Sequence, residues 1–198
     1  MNIIDAIKQP GTPFQIPDST RNSLPEFFKE MGYSVGAEIG VYKAEFTKRF
    51  CEAGLKMYAI DPYHSYSSAG RVAKDQSRHE FLYGHAKRTL APYTDCTIIR
   101  KASMDAVHDF KDKSLDFVYI DGDHSFKHVA QDIYEWTWKV RKGGVVAGHD
   151  YYPNREAVEK NIRHVGHVID AYTKAFQIDK WYEVGTKDHA SSWFFIRK

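Results

Sequence analysis

Five short stretches place acidic, glycine, serine or histidine residues directly after apolar runs: Glu38-Ile39-Gly40-Val41-Tyr42-Lys43-Ala44, Asp61-Pro62, Lys101-Ala102-Ser103-Met104, Asp121-Gly122-Asp123-His124 and Gly148-His149-Asp150. Unpaired carboxylates at the edge of an apolar core are costly, so each needs a reason to be there. One reason is capping, because Asp and Ser accept hydrogen bonds from helix N-termini. Recurrence after all five runs points instead to a ligand site. Gly40 allows a sharp turn and lets a ligand approach where no Cβ intervenes. Glu38, just before that turn, stands where a carboxylate accepts hydrogen bonds from a cationic ligand group. Asp61 is placed to take both hydroxyls of a ribose, each charge-assisted bond worth roughly 1.5–3 kcal/mol, and would repel a 2′-phosphate. The dinucleotide fingerprint G-x-G-x-x-G is absent, with Tyr42 and Lys43 in its place, and there is no P-loop. The chain provides for a nucleoside and not for a pyrophosphate.

The elements that must carry these residues alternate. Val35–Ile39, Lys56–Ile60, Thr97–Arg100, Leu115–Ile120 and Gly144–Ala147 read as short buried strands. Between and after them the spacing turns helical. Arg78–Leu90 reads as one helix; Phe126, Val129, Ile133, Trp136 and Val140 mark the apolar face of another. Val158, Ile162, Val165, Ile169, Tyr172 and Phe176 mark a further helical face. This alternation predicts an α/β fold, a doubly wound and mostly parallel sheet with helices on both sides. Trp181–Val184 and Ser192–Ile196 have no helix between them, so they close the sheet as an antiparallel hairpin. Ligands of such sheets bind at the carboxyl ends of the strands, where the strand order reverses.

At 198 residues the chain is read as a single domain, 1–198, with residues 1–33 forming an N-terminal arm and short helix. The polar insertion 62–78 is a candidate lid, and Phe14, Tyr63 and Tyr66 are candidate wall residues over an acceptor. Lys and Arg number 28 against 26 Asp and Glu, without long blocks of one sign, which argues against a dedicated nucleic-acid binder. No apolar run approaches the ~20 residues that span a bilayer, and the start lacks the pattern of a signal peptide. Two cysteines, Cys51 and Cys96, are too few for a disulfide scaffold. The expectation is a cytoplasmic protein with a small-molecule partner, no nucleic acid and no membrane, its state as a homo-oligomer left open.

With these residues in view, the chain resembles the class I S-adenosylmethionine-dependent methyltransferases. Within them it is similar to a small-molecule O-methyltransferase branch with the pattern E-I-G-V-x-x-G, I-D-P, I-D-G-D-H-S and G-G-x-x-x-G-H-D-Y. Here those motifs fall at Glu38–Val41, Ile60–Pro62, Ile120–Ser125 and Gly143–Tyr151, and Ala44 stands where the family has glycine. The resemblance implies a Rossmann-like methyltransferase fold with S-adenosylmethionine as cofactor. It implies that Glu38, Gly40 and Tyr42 border the methionine part, Asp61 holds the ribose, and Ser103 and Met104 flank the adenine, with Asp121 also at the cofactor. The alanine at 44 is expected to tighten packing and not to abolish binding.

Relatives such as catechol O-methyltransferase hold magnesium through carboxylates after the fourth and fifth strands, which implies Asp121, His149 and Asp150 here. Magnesium prefers hard oxygen ligands, whereas an imidazole suits zinc, manganese, iron or nickel better. Two readings follow: Mg2+ or another divalent cation binds there, or no metal binds and histidines act as general bases. His124 is the first candidate base and His149 the second, since an imidazole titrates near cellular pH. Asp123 is a reserve ligand or a helix cap. The reaction read from this set is methyl transfer from S-adenosylmethionine to an oxygen of a small molecule. The alternatives are a nicotinamide-dependent oxidoreductase of Rossmann type, or a noncatalytic nucleoside-binding domain.

Overall fold

The computed structural model describes residues 3–9, 11–64, 75–152, 164–185 and 190–198. Tyr66, Val158 and Ile162 lie outside the described residues, as do most of the candidate lid and the middle of the terminal hairpin connection. The elements are α1 (Ile3–Ala6), β1 (Phe14–Ile16), α2 (Leu24–Glu30), β2 (Val35–Ile39), α3 (Glu45–Glu52), β3 (Lys56–Ile60), α4 (Gln76–Leu90) and β4 (Cys96–Ile99). They continue with α5 (Ser103–Ala106), β5 (Leu115–Ile120), α6 (Phe126–Lys139), β6 (Val140–Tyr151), α7 (Val165–Ala175), β7 (Tyr182–Val184) and β8 (Ser191–Ile196).

The eight strands form one sheet in the order β1-β7-β8-β6-β5-β2-β3-β4. Among the described strands only β8 runs antiparallel to its neighbours, pairing with β7 in the expected hairpin and with β6 on its other side. From β2 the chain moves outward through β3 and β4, then returns to place β5 on the opposite side of β2. The order therefore reverses between β2 and β5, where a crevice opens beyond the strand ends. Gly40 and Asp121 meet there: the Asp121 N–H donates to Ile39 O at 2.8 Å. A Cβ on Gly40 would stand 2.2 Å from the Asp121 carbonyl oxygen, and its φ is +87°, so both space and backbone require glycine.

Burial on both faces explains why the central strands read as continuous apolar runs. All six residues of β5 are buried. Phe117 and Tyr119 pack on one face with Phe27, Phe28, Phe46 and Phe50. Val118 and Ile120 pack on the other with Val129, Ile133, Trp136 and Ile169. Two expected stripe residues sit at the rim instead: Phe126 and Phe176 are exposed at the ends of their helical faces.

Several expectations are corrected. The N-terminal arm contains a strand: Phe14–Ile16 pairs in parallel with β7. β4 starts one residue earlier than expected and ends at Ile99, while β6 runs from Val140 to Tyr151 because both ends find partners beyond the apolar run. Residues 75–78 of the expected lid belong to the start of α4, where the Asp75 carboxylate accepts from the Ser77 and Arg78 N–H groups. Tyr63 does not face an acceptor; it is buried with Val41, Ala44 and Leu82. Ala44 has φ +64° as the residue before α3, which is the conformation that makes glycine the family residue there.

Candidate active site

The strand ends after β2, β3, β4 and β5, together with the first turns of α6, enclose a cavity of about 520 Å³. Gly40, Asp61, Ser103, Met104 and Asp121 line it, as do Asp123, His128 and Asp132. Five of the seven expected cofactor residues are thus gathered around one space.

Asp61 ties two loops together. Its Oδ2 accepts the N–H groups of Val41 and Tyr42, both at 3.0 Å, and its Oδ1 accepts that of Tyr63 at 2.9 Å. Burial raises its pKa, and the three backbone donors work in the opposite direction. A carboxylate has about four lone-pair sites, so three N–H donors leave room for one more on Oδ1.

Glu38 and Tyr42 are the two expected contacts that the structure places outside the cavity lining. Glu38 is buried beneath it and accepts a hydrogen bond from the Thr47 hydroxyl of α3. Burial, opposed by the Thr47 bond and assisted by Asp121, pushes its pKa up to about 8. Its bond to Thr47 holds α3 to β2. Tyr42 has φ +52°, which turns its side chain outward to solvent; its contribution is the backbone N–H given to Asp61.

Sequence reasoning missed Asp132. It lies on the buried face of α6 between Val129 and Ile133, accepts a hydrogen bond from the Ser103 hydroxyl, and has its pKa raised to about 7 by burial, with Ser103 opposing and Asp123 adding. Ser103 Oγ also accepts from Trp136 Nε1 at 2.8 Å, so α5 and α6 are fixed to each other beside the cavity. An acid interrupting an apolar stripe was the available signal. Asp123 accepts the Ser125 N–H on Oδ1 at 2.8 Å, as a cap would, while its buried Oδ2 has no hydrogen-bond partner and lies 3.6 Å from His128 Nδ1.

Beyond Asp121 the cavity gives way to a charged cluster. His124 Nε2 lies 2.8 Å from Asp150 Oδ2 and 3.7 Å from Asp121 Oδ1. His149 Nδ1 stands 3.7 Å from Asp150 Oδ1 and 4.0 Å from Asp121 Oδ1. Tyr152 donates to Asp150 Oδ1 at 3.1 Å. Asp150 takes φ +58° at the bend of β6, a position with a register shift against β8. Burial opposes charge on both partners, but the carboxylates of Asp121 and Asp150 outweigh it for His124 and raise its pKa to about 9. His124 and His149 in turn hold Asp150 well below the usual carboxylate range. One ligand atom each from Asp121, His124 and Asp150 lie within 4.8 Å of one another, a spacing that fits a metal ion. The expected set was Asp121, His149 and Asp150; the structure puts His124 with the two acids and His149 alongside. Arg21, also missed, approaches from the N-terminal segment, with Nη1 3.6 Å from Asp121 Oδ2.

Residues 35–151, more than half of the chain, match the model of a methyltransferase-domain family. No curated protein matches the chain. Among solved structures, an O-methyltransferase from Bacillus cereus in complex with S-adenosylhomocysteine superposes with a TM-score of 0.64 at 14% identity, over 89% of this chain and 80% of that one. The N-methyltransferase NodS from Bradyrhizobium japonicum gives 0.59 at 12% identity, over 89% and 94%. An rRNA methylase from Streptococcus thermophilus gives 0.56 at 13% identity, over 88% and 93%. At these identities the three likenesses speak to the fold, while the family match covers all four strand-end motifs from Glu38 to Tyr151. The chain belongs to the methyltransferase-domain family, and it is an S-adenosylmethionine-dependent methyltransferase.

Proposed function

We propose that this methyltransferase acts on an oxygen of a small molecule, with a divalent cation held by Asp121, Asp150 and His124. The observation that carries this reading is the convergence of those three ligand atoms within 4.8 Å at the edge of the cavity. Two carboxylate oxygens and one imidazole nitrogen suit a first-row ion such as Mn2+ better than Mg2+. When bound, such an ion supplies positive charge that favours the deprotonated form of an acceptor hydroxyl beside it.

The nucleoside half fits the residues present. The cavity of about 520 Å³ is lined by the Asp61 carboxylate, Met104 and Asp123. S-adenosylmethionine supplies an electrophilic sulfonium methyl; an oxygen lone pair attacks its carbon, the carbon–oxygen bond forms, and the carbon–sulfur pair returns to sulfur as the thioether leaves. The protein's part is positioning and proton transfer. Asp61 holds the Gly40–Tyr42 turn and offers its remaining Oδ1 lone pair to a ribose hydroxyl. Ser103 and Asp132, locked by Trp136, fix the far wall. In-line positioning of this kind can supply roughly 7–11 kcal/mol.

His149 is assigned the acceptor's proton. Its Nδ1 faces Asp150 and Asp121, which favours the tautomer that leaves Nε2 as the basic atom. His124, as a ligand of the cation, has its ring nitrogen engaged and is not free to take that proton. The roles of the two histidines are therefore exchanged relative to the sequence-based expectation.

The test is calorimetric titration of the chelator-treated protein with Mn2+ and with Mg2+, paired with an S-adenosylhomocysteine release assay over phenols, vicinal diols, sugars, amines and a short RNA. Saturable Mn2+ binding abolished in Asp150→Asn, and release with a hydroxyl acceptor lost in EDTA, are the expected results. Undiminished hydroxyl methylation in EDTA would overturn the cation assignment. Turnover with the amine or RNA arm alone would overturn the oxygen acceptor.

A further inference from the structure

We propose that Arg21 receives the α-carboxylate of the methionyl tail of S-adenosylmethionine. The cavity that fits an adenosyl group ends at Asp121, and Arg21 stands across that edge, its Nη1 3.6 Å from Asp121 Oδ2. On the other side of the same carboxylate, toward Oδ1, stand His124 and His149. A sulfonium sulfur has three substituents. With the adenosyl group in the cavity, the amino-acid tail and the methyl must leave in two different directions. The side with His124, His149 and Asp150 holds the acid–base cluster that an acceptor needs. The side with Arg21 holds a cation and the Asp121 carboxylate, the two complements of a zwitterionic amino acid. Lys127 and His128 line the cavity from α6, beside Asp123, and so belong to its nucleoside portion.

Arg21 is held for this task from three directions. β1 pairs with β7, and five residues on from β1 the chain reaches Arg21. Ser19 is buried between them, its hydroxyl donating to Ile16 O at 2.7 Å and accepting from the Gly185 N–H at 3.2 Å. The guanidinium packs on the Phe46 ring at 4.9 Å from its centroid. A planar, pre-oriented fork of this kind matches a carboxylate with two parallel hydrogen bonds. Glu38 is buried and bonded to Thr47, and Asp121 is the acid within ion-pair distance of Arg21.

The test compares two ligands in calorimetry, in chelator so that the cation and acceptor assignments do not enter. S-adenosylhomocysteine carries the amino-acid tail; 5′-methylthioadenosine has the same nucleoside and thioether without it. Arg21→Met keeps a stem against Phe46 and removes the charge. The expected result is a loss of about 10-fold or more in affinity for S-adenosylhomocysteine, with affinity for methylthioadenosine within about 2-fold of wild type. Arg21→Lys is expected to recover part of the loss, because it restores charge without the fork. The retained methylthioadenosine affinity shows that the variant is folded. Equal losses for both ligands would make Arg21 a structural counter-ion of Asp121, and no loss for either would remove it from binding; each overturns the proposal.

Discussion

Replacing Asp61 with alanine is expected to destabilise the protein before any ligand is added. The side chain accepts three backbone N–H groups at 2.9–3.0 Å. Tyr42 is exposed and its N–H can turn to water, but Val41 and Tyr63 are buried. Two buried donors left without partners cost roughly 1–3 kcal/mol each. Against this stands relief from burying a carboxylate, whose raised pKa shows that burial outweighs its donors. That relief offsets part of the roughly 2–6 kcal/mol, and the expected net loss is about 2–3 kcal/mol. For a chain of this size that lowers Tm by about 5–10 °C. The assay is thermal and urea unfolding of the ligand-free protein, with Asp61→Asn as a partner variant that retains one accepting oxygen and so loses less. An Asp61→Ala protein melting within about 1 °C of wild type would refute the reasoning. The consequence for binding is direct: weaker S-adenosylhomocysteine affinity in Asp61→Ala combines loop loosening with a lost ribose contact, and Asp61→Asn separates the two.

Three further outcomes follow from the same geometry. In ion-free protein, the His124 ring protons titrate in NMR with a midpoint near 9, falling toward the ordinary imidazole value of 6.5 in Asp150→Asn; a wild-type midpoint near 6.5 would contradict the pairing. Because the His124 pKa is raised, its contribution to stability is complete below about 6.5 and is lost as pH rises through about 9, which unfolding measured across that window reads. Ala44→Gly is expected to change stability by less than about 1 kcal/mol, since about 1–2 kcal/mol of left-handed strain relieved is offset by about 0.8 for a lost buried methyl and 0.4–1 for added chain entropy. Gly148→Ala is expected to cost about 2–3 kcal/mol in denaturant unfolding, because its Cβ would lie 2.5 Å from both Ile120 O and the buried Trp193 ring.

The central strands and the site's outline were legible because burial on both faces writes itself as apolar runs, and polar residues cannot follow such runs without a purpose. Leu115–Ile120 and its Asp121-Gly122-Asp123-His124 ending are the clearest instance. β1 was not legible: three residues between Pro13 and Pro17 carry no period, and their pairing with β7 depends on chain more than 160 residues away. Arg21 followed from that omission. Which of His124 and His149 stands closer to the Asp150 carboxylate was equally hidden, since each adjoins an acid after a strand, and the bend at Asp150 decides it. Glu38 was read as a ligand contact from its place just before the Gly40 turn, and its bond to Thr47, one α3 turn beyond Ala44, was not legible.

A crystal structure with S-adenosylhomocysteine bound tests the central claim most directly. The account predicts the adenine between Met104 and the first turns of α6, a ribose hydroxyl on Asp61 Oδ1, and the sulfur at Asp121 on the side open to His149. The nucleoside bound on any other part of the sheet edge, or bound here with its sulfur turned away from His124, His149 and Asp150, would contradict it.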